Sequence, residues 1–410
     1  MQKRVLMLVV LVGLALASPT MAGPYDWFAW TGETSNDYMD VNNWRWAGGV
    51  NTPFGTKVLG SADTFVHPTD VGMLLAQRHE IGQAIGAAQG GPLPRTANLD
   101  GSSGAYLAWN GGLGLNQTYG AIEIDSGMTF NIYNGAKYTV GGVSANGFGT
   151  DPYQDSIDLS RTYQGNHLKT TVYVTTGGSF TASSWTGNIS STGYTANAGI
   201  FAEGKATVNI TGNYLIGGPT PQTRGGGHLT VKGYDADSVL TIANGDGQKI
   251  FMGSASYERG FDGMTAQSDP AELRIILDAS NDGGLFNTVQ TNMLDLRSRY
   301  IDPIVGETDM YRPVKFTVEL DGYTVTAGQV FAIIVADSIT NDGGTTLNTL
   351  GVMDKGWNTT FEVDGVAMQF HQTYNGQSGV FLEVMPIPEP ATMSLLALGG
   401  LAALIRRRRQ

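Results

Sequence analysis

The sequence contains no cysteine among its 410 residues. This absence excludes disulfide bonds, thiolate metal sites and a thiol nucleophile. Histidine is scarce as well, and its five copies stand singly along the chain, so the sequence predicts no histidine metal centre. The five are His67, His79, His167, His228 and His371.

Basic residues are also few, 24 against 36 acidic ones. When residues 1–22 and 386–410 are set aside, 18 basic and 35 acidic residues remain. Such a surface repels nucleic-acid phosphates and anionic lipid headgroups. The composition therefore excludes nucleic acid as a partner and is compatible with a hydrated polysaccharide matrix.

Long helical patterns are missing between the two ends, with residues 72–88 as the one stretch that has helical spacing. Glycine, in contrast, is abundant, with 57 copies against 15 prolines and no Gly-X-Y period. It closes short segments of alternating apolar residues, as in "AIEIDSGMTFNIYNGAKYTVGG" at residues 121–142. Alternation bounded by Gly, Asn and Asp is typical of strands joined by tight turns. The sequence therefore predicts an all-β fold.

Two architectures use short strands of this kind, a β-solenoid and a β-sandwich. The apolar–x–apolar–x–Gly pattern recurs without a fixed meander length, which favours stacked coils. We predict a right-handed parallel β-solenoid over residues 71–280, with a β-sandwich as the alternative. A capping segment at 23–70 precedes it, and a C-terminal β cap at 281–385 follows it. Helices are expected only at the two ends, in 1–22 and 386–410.

Both ends of the chain have the pattern of export signals. Residues 1–22 combine Lys3 and Arg4 with an apolar run and small residues, which predicts a signal peptide removed by signal peptidase. At the other end, an apolar run at 391–405 precedes four arginines that would hold it on the cytoplasmic side. Two prolines before the run break any helix and leave an extended turn. The predicted sorting residues are Pro388, Glu389, Pro390, Arg406, Arg407, Arg408 and Arg409.

The final stretch "IPEPATMSLLALGGLAALIRRRRQ" resembles the PEP-CTERM sorting signal, in which a Pro-Glu-Pro motif, a short apolar helix and a basic end occur in this order. The resemblance implies processing by an exosortase, a membrane-embedded enzyme of bacteria with an outer membrane. It further implies export, transient insertion of the tail into the inner membrane, and delivery to the cell envelope, outer surface or extracellular matrix.

A second resemblance concerns the body of the protein. The stretch "WTGETSNDYMDVNNWRWAGGVNTPFGTKVLGSADTFV" is similar to the opening segment of secreted autotransporter-like β-helix repeat proteins. The stretch "LDGYTVTAGQVFAIIVADSITNDGG", followed by "FEVDGVAMQFHQTYNGQSGVFLEV", is similar to their closing strands. Tyr38 departs from the pattern, because tryptophan is usual there. The positions that fit are Trp30, Gly32, Asp40, Asn43, Trp44, Gly49, Val50 and Asp63.

Catalytic and metal motifs are found only in part, so we predict no catalytic residue, no cofactor and no metal. Each partial motif lacks an essential residue. The substituted positions are Ala206 after a P-loop-like Gly199, Gly204 and Lys205, Gln83 in a zinc-protease-like stretch from His79, and Asn146 in a nucleophile-elbow-like stretch around Ser144. The Asn-Asp-Gly-Gly stretches at 281–284 and 341–344 suit either calcium loops or ordinary strand-ending turns, and the missing alternating acids favour turns.

The expected function is non-enzymatic: an exported structural or adhesion protein of the envelope or extracellular matrix, with exopolysaccharide as its partner. The alternative is a secreted glycan-active enzyme on a β-helix, for which the best candidates are Asp151, Asp155, Asp158 and Arg161. Nearby aromatic residues would either stack on sugars or fill the core, namely Tyr153, Tyr163, Tyr173 and Trp185. A third hypothesis is ice binding, for which Thr324-Val325-Thr326 supplies one rung of the threonine ladder it needs.

Overall fold

The structure is a computed structural model that describes sixteen ranges of the chain. Within them the chain forms β-strands and two three-residue 3-10 turns, at 101–103 and 282–284, and no α-helix. The ranges are 27–30, 35–38, 40, 43–48, 57–58, 78–81, 95–103, 106–108, 121–124, 128–145, 169–187, 197–216, 227–252, 271–296, 314–340 and 357–386.

The strands are numbered in chain order. They are β1 (Trp27–Trp30), β2 (Trp44–Gly48), β3 (Lys57–Val58), β4 (Arg78–Ile81), β5 (Arg95–Asp100), β6 (Tyr106–Ala108), β7 (Ala121–Ile124), β8 (Met128–Tyr133), β9 (Lys137–Ala145), β10 (Lys169–Val174), β11 (Ser179–Gly187), β12 (Asn197–Glu203), β13 (Thr207–Ile210), β14 (Tyr214–Ile216), β15 (His228–Lys232), β16 (Val239–Ile242), β17 (Lys249–Met252), β18 (Glu272–Asp278), β19 (Val289–Asp295), β20 (Lys315–Asp321), β21 (Val330–Thr340), β22 (Thr360–Val363), β23 (Val366–Tyr374) and β24 (Gln377–Val384).

One sheet is a purely parallel ladder of seven strands in the order β5, β8, β10, β12, β15, β18 and β20. Between successive members of this ladder, the described residues form one or two strands of a second sheet. Parallel neighbours require such crossovers, whereas antiparallel neighbours can be joined by tight hairpins. The alternation between two sheets is compatible with a coil in which each turn stacks on the previous one.

The second sheet is parallel through its middle and antiparallel at its ends. Its parallel part runs from β4 through β9, β11 and β19 to β21. At one end β1, β2 and β3 pair antiparallel. At the other end β21, β24, β23 and β22 form an antiparallel meander. Both ends therefore change from stacked strands to hairpin pairing.

The core lies between the two sheets, because alternate residues of each strand point to opposite faces. In the seven-stranded ladder the parallel register aligns the inward side chains in a column, and the second sheet supplies the facing column. All of these side chains are buried, and each contributes about 1.5–3 kcal/mol through removal from water. The columns contain Val172, Ile200, Leu229, Leu273 and Phe316 on one side, and Tyr138, Phe180, Val208 and Leu240 on the other.

The N-terminal end of the core is covered by the segment around Tyr38. The backbone N–H of Tyr38 donates to the carbonyl of Asn98 at 2.8 Å, which adds the segment to the edge of β5. The Tyr38 ring is 1% exposed and packs 5.0 Å from the Phe130 ring. Asn43, which is fully buried, holds the loop by donating from Nδ2 to the carbonyls of Ser35 at 2.8 Å and Asp37 at 3.0 Å.

The C-terminal end is covered by the antiparallel meander. Phe316, on the last strand of the seven-stranded ladder, is 1% exposed. Its ring lies 5.0 Å from that of Phe370 and 5.9 Å from that of Trp357, both in edge-to-face geometry. Phe361 stacks on Phe370 at 5.1 Å. These aromatic contacts shield the end of the core from water, as a cap must.

The predicted all-β fold class is confirmed. The parallel sheets are compatible with a β-solenoid, while the solenoid itself, its right-handed sense and the domain limits stay predictions. Within the stretch of helical spacing at 72–88, the described residues Arg78–Ile81 form a strand that pairs with β1 and β7, since sheet pairing overrides a short local pattern. The predicted signal peptide at 1–22 and the tail beyond 386 lie outside the described residues.

Candidate functional site

The outer face of the seven-stranded sheet carries a straight row of polar and aromatic side chains, here called the central row. The parallel register places one residue of each strand opposite its neighbour. Neighbouring strands lie about 4.8 Å apart, so seven members span about 29 Å. The row consists of Asn98, Asn131, Tyr173, Phe201, Thr230, Arg274 and Thr317. Thr230 is buried, and the other six are partly exposed.

An aromatic pair forms the middle of the central row. The rings of Tyr173 and Phe201 lie 4.9 Å apart with a tilt of 39°. Both residues alternate with buried core residues and are only partly buried themselves. Aromatic rings that keep a face near solvent provide an apolar platform on which flat, partly apolar ligands such as sugar rings can rest.

A bidentate ion pair lies further along the same face. Arg274 donates from Nε to Oε1 of Glu319 and from Nη2 to Oε2, both at 2.8 Å. The hydrogen bonds to Glu319 raise the pKa of Arg274 above its ordinary value, so the guanidinium stays charged. The side chains are 39% and 40% exposed, and a pair so accessible to water contributes little to stability. Its geometry instead fixes two polar groups in position beside the row.

A second ionic cluster is centred on Lys232, which lies two residues further along its strand than the central-row residue Thr230. Its ammonium lies 2.9 Å from Oε1 of Glu203 and 3.0 Å from Oδ2 of Asp321. Hydrogen bonds to these two carboxylates raise the pKa of Lys232 above its ordinary range. One lysine thus joins strands β12, β15 and β20, and its positive charge is shared between two acids.

The residues aligned two positions before the central row on β10, β12 and β15 are tightly packed. Thr171 Oγ1 and His228 Nε2 lie 3.1 Å apart, and both residues are buried. Gly199 sits between them in the ladder, and a Cβ there would approach the His228 carbonyl oxygen to 1.8 Å. Only glycine therefore permits β12 and β15 to approach so closely.

An open groove of about 570 Å³ adjoins the central row at its C-terminal end. Phe201 belongs to both, so the aromatic platform continues into the groove. The β22–β23 turn contributes the far wall through Val363 and Asp364. The full lining is Phe201, Lys232, Ile276, Val318, Glu319, Leu320, Asp321, Val363 and Asp364.

The family match lies at the C-terminus of the chain, just after strand β24 ends at Val384. Residues 386–409 match the PEP-CTERM protein-sorting motif. No curated protein matches the chain, and no solved structure matches it. The likeness of the body to autotransporter-like β-helix proteins, expected from the sequence, has no family match and stays a prediction.

The PEP-CTERM motif indicates a protein that is sorted by an exosortase and has an extracellular or envelope location. The matched range includes the predicted Pro-Glu-Pro turn and the arginines at 406–409. Among the residues that the structure describes, no helix is long and apolar enough to cross a membrane. Transient anchoring through the tail stays a prediction.

Several residues singled out from the sequence have structural roles. Gly204 and Lys205 form a turn that leads into strand β13, and Lys205 pairs with Asp237 at 2.7 Å, so a P-loop followed by a helix is not formed. His79 lies on strand β4 and Ser144 on strand β9.

The loop at 281–284 is a turn held by its own polar groups. Asn281 accepts from the Asp278 N–H and donates to the Leu285 carbonyl, both at 2.8 Å. The described ranges contain no group of three or more His, Asp or Glu residues arranged to hold a metal ion.

The predicted sugar-stacking aromatics have separate locations. Tyr173 lies on the outer face, whereas Trp185 is fully buried in the core.

The threonines considered for ice binding, Thr324–Thr326, lie outside the strands, between β20 and β21, and not on a ladder. The enzyme candidates Asp151, Asp155, Asp158 and Arg161, together with Tyr153, Tyr163, His67, His167 and the 341–344 loop, lie outside the described residues.

Sequence reasoning did not select most of the residues that form this face, among them Phe201, Arg274 and Glu319. The local signal exists, because each stands between two inward apolar residues of a strand. What the sequence does not show is which strands are neighbours. Arg274 and Glu319 are 45 residues apart, and only the register of β18 on β20 brings them together.

Proposed function

We propose that this exosortase-sorted extracellular protein associates with polysaccharide through the outer face of its seven-stranded sheet. The observation that carries the proposal is the central row, where the partly exposed aromatic pair lies in register with partly exposed amide groups, Asn98 and Asn131, and with the guanidinium of Arg274. Polysaccharide sites combine apolar surface for sugar faces with polar groups placed for hydroxyls. A row of about 29 Å would accommodate several sugar units.

The sorting motif supports the same proposal, since it indicates an extracellular or envelope location. The acidic balance of the chain disfavours nucleic acid and anionic lipid as competing ligands. Binding to polysaccharide would be sufficient for an adhesion or matrix role, without any catalytic step.

Catalysis is not required by this proposal. Arg274 holds Glu319 by two hydrogen bonds, and Lys232 holds Glu203 and Asp321. These carboxylates are held by cations of the same sheet, so they fix the structure of the face and do not form a pair of free acids on opposite sides of a bound sugar. We therefore propose a binding protein without turnover.

The test is a retention and turnover assay of the purified protein with a panel of bacterial and algal polysaccharides. We expect at least one polymer to be bound without the appearance of new reducing ends. The double variant Tyr173→Ala/Phe201→Ala should weaken this binding by about ten-fold, equivalent to ~1.4 kcal/mol.

Tyr374→Ala is the matched control, because it removes a partly buried aromatic ring from the C-terminal meander and leaves the central row intact. Its binding should equal that of the parent protein. Equal binding by the double variant would refute the role of the row, and release of oligosaccharides would establish the glycan-active alternative.

A further inference from the structure

The charge of the groove next to the central row is unbalanced. Its lining contains one basic residue, Lys232, and three acidic ones, Glu319, Asp321 and Asp364. When Arg274 and Glu203 are included as the ion-pair partners of these residues, the excess of two negative charges is unchanged. A cavity wall with one predominant sign of charge attracts ligands of the opposite sign.

The basic groups of the site are already engaged. Lys232 contacts two carboxylates, at 2.9 and 3.0 Å, and Arg274 is bound by both oxygens of Glu319. A ligand carboxylate would have to break these pairs, whereas a ligand cation would meet Asp364, which is exposed on the β22–β23 turn. The electrostatics therefore disfavour uronic acids.

The rest of the wall is apolar. Phe201 and Ile276 come from the outer face of the sheet, and Val363 comes from the opposite turn. A ligand that fits this groove needs an apolar face for the ring of Phe201 and a cationic group for the acidic end. A hexosamine unit with a free amine has both features.

We propose that the groove binds the protonated amine of an amino sugar within a polysaccharide, with the sugar ring on Phe201 and the ammonium beside Asp364. This inference rests on the proposed polysaccharide binding and names its ligand class. Binding should weaken as salt is added, because the acidic end of the groove is open to solvent.

The experiment measures binding of the purified protein, by calorimetry, to three sets of oligomers of equal length: glucosamine, N-acetylglucosamine and galacturonate. It is done at a pH where the glucosamine amine is protonated. We expect the glucosamine oligomers to bind most tightly and the galacturonate oligomers least.

Asp364→Asn should weaken glucosamine binding by about two- to five-fold, as expected for the loss of one exposed charge partner, and should not change N-acetylglucosamine binding. Asp364 has a φ of 49°, a left-handed conformation that asparagine tolerates, so the backbone is preserved. The control Asp246→Asn removes an exposed acid from the β16–β17 turn and should have no effect.

The outcomes separate the two proposals. Equal affinity for amine and N-acetyl oligomers, or no response to Asp364→Asn, would overturn the amino-sugar inference and leave polysaccharide binding intact. Binding of other polymers but none of these three would do the same. Failure to bind any polysaccharide would overturn the proposed function itself.

Discussion

Truncation of Phe316 tests whether the C-terminal meander acts as a cap on the stacked strands. Phe316 is 1% exposed, and its ring contacts Phe370 at 5.0 Å and Trp357 at 5.9 Å. Replacement of a buried Phe by Ala costs about 3–5 kcal/mol, through lost transfer energy and the cavity left behind. Such a loss is a large part of the roughly 5–15 kcal/mol that stabilises a typical domain.

The assay has two parts. Urea unfolding of Phe316→Ala gives the change in the free energy of unfolding, and hydrogen exchange shows where protection is lost. Because each strand of the seven-stranded ladder pairs only with its neighbours, β20, β18 and the meander should lose protection first, while β8 and β10 keep it. Phe201→Ala is the matched control, since it makes the same chemical change on the outer face and should cost less than about 1 kcal/mol.

Two results would refute this reasoning. Equal destabilisation by the inner and outer substitutions would show that Phe316 is not a core anchor. A uniform loss of protection from β5 to β24 would show that the ladder unfolds as one unit, without a separable cap.

Three further predictions concern the N-terminal cap, the buried phenols and the tail. Asn43→Ala should lower the free energy of unfolding by about 1–3 kcal/mol in urea titration, because two carbonyls lose a buried donor; a change below 0.5 kcal/mol would contradict this. Burial raises the pKa of Tyr38, Tyr138 and Tyr214 above the ordinary 10.0, so their stabilisation is complete below about pH 10 and is lost as the pH rises further. Phenolate absorbance should therefore show these three ionising only with unfolding, and reversible ionisation in the folded protein would contradict it. Glutamine in place of Arg406–Arg409 should leave an uncleaved precursor on immunoblots, while lysine at all four should preserve processing; normal cleavage of the glutamine variant would contradict the role of the charge.

Local pattern was sufficient for the class of fold and for the sorting motif. Alternation such as Phe130 and Ile132, or Val208 and Ile210, is a property of four or five consecutive residues, and these side chains are indeed buried in strands. The PEP-CTERM motif is likewise contiguous, so its residues can be read in one stretch. The helical spacing at 72–88 shows the limit of such local patterns, since a local period does not include the strands that pair with Arg78–Ile81.

The candidate site depends on contacts between distant parts of the chain. Tyr173, Phe201, Arg274 and Glu319 come from four strands whose separations along the sequence are unequal, so no repeat length reveals that they share a face. Their proximity is set by the parallel register, which also requires a glycine at 199. Alternation alone thus determined which residues face outward, because that choice is made within each strand. Which outward residues meet in the central row and the groove was decided only by the stacking of strands in three dimensions, because stacking depends on the length of chain between them.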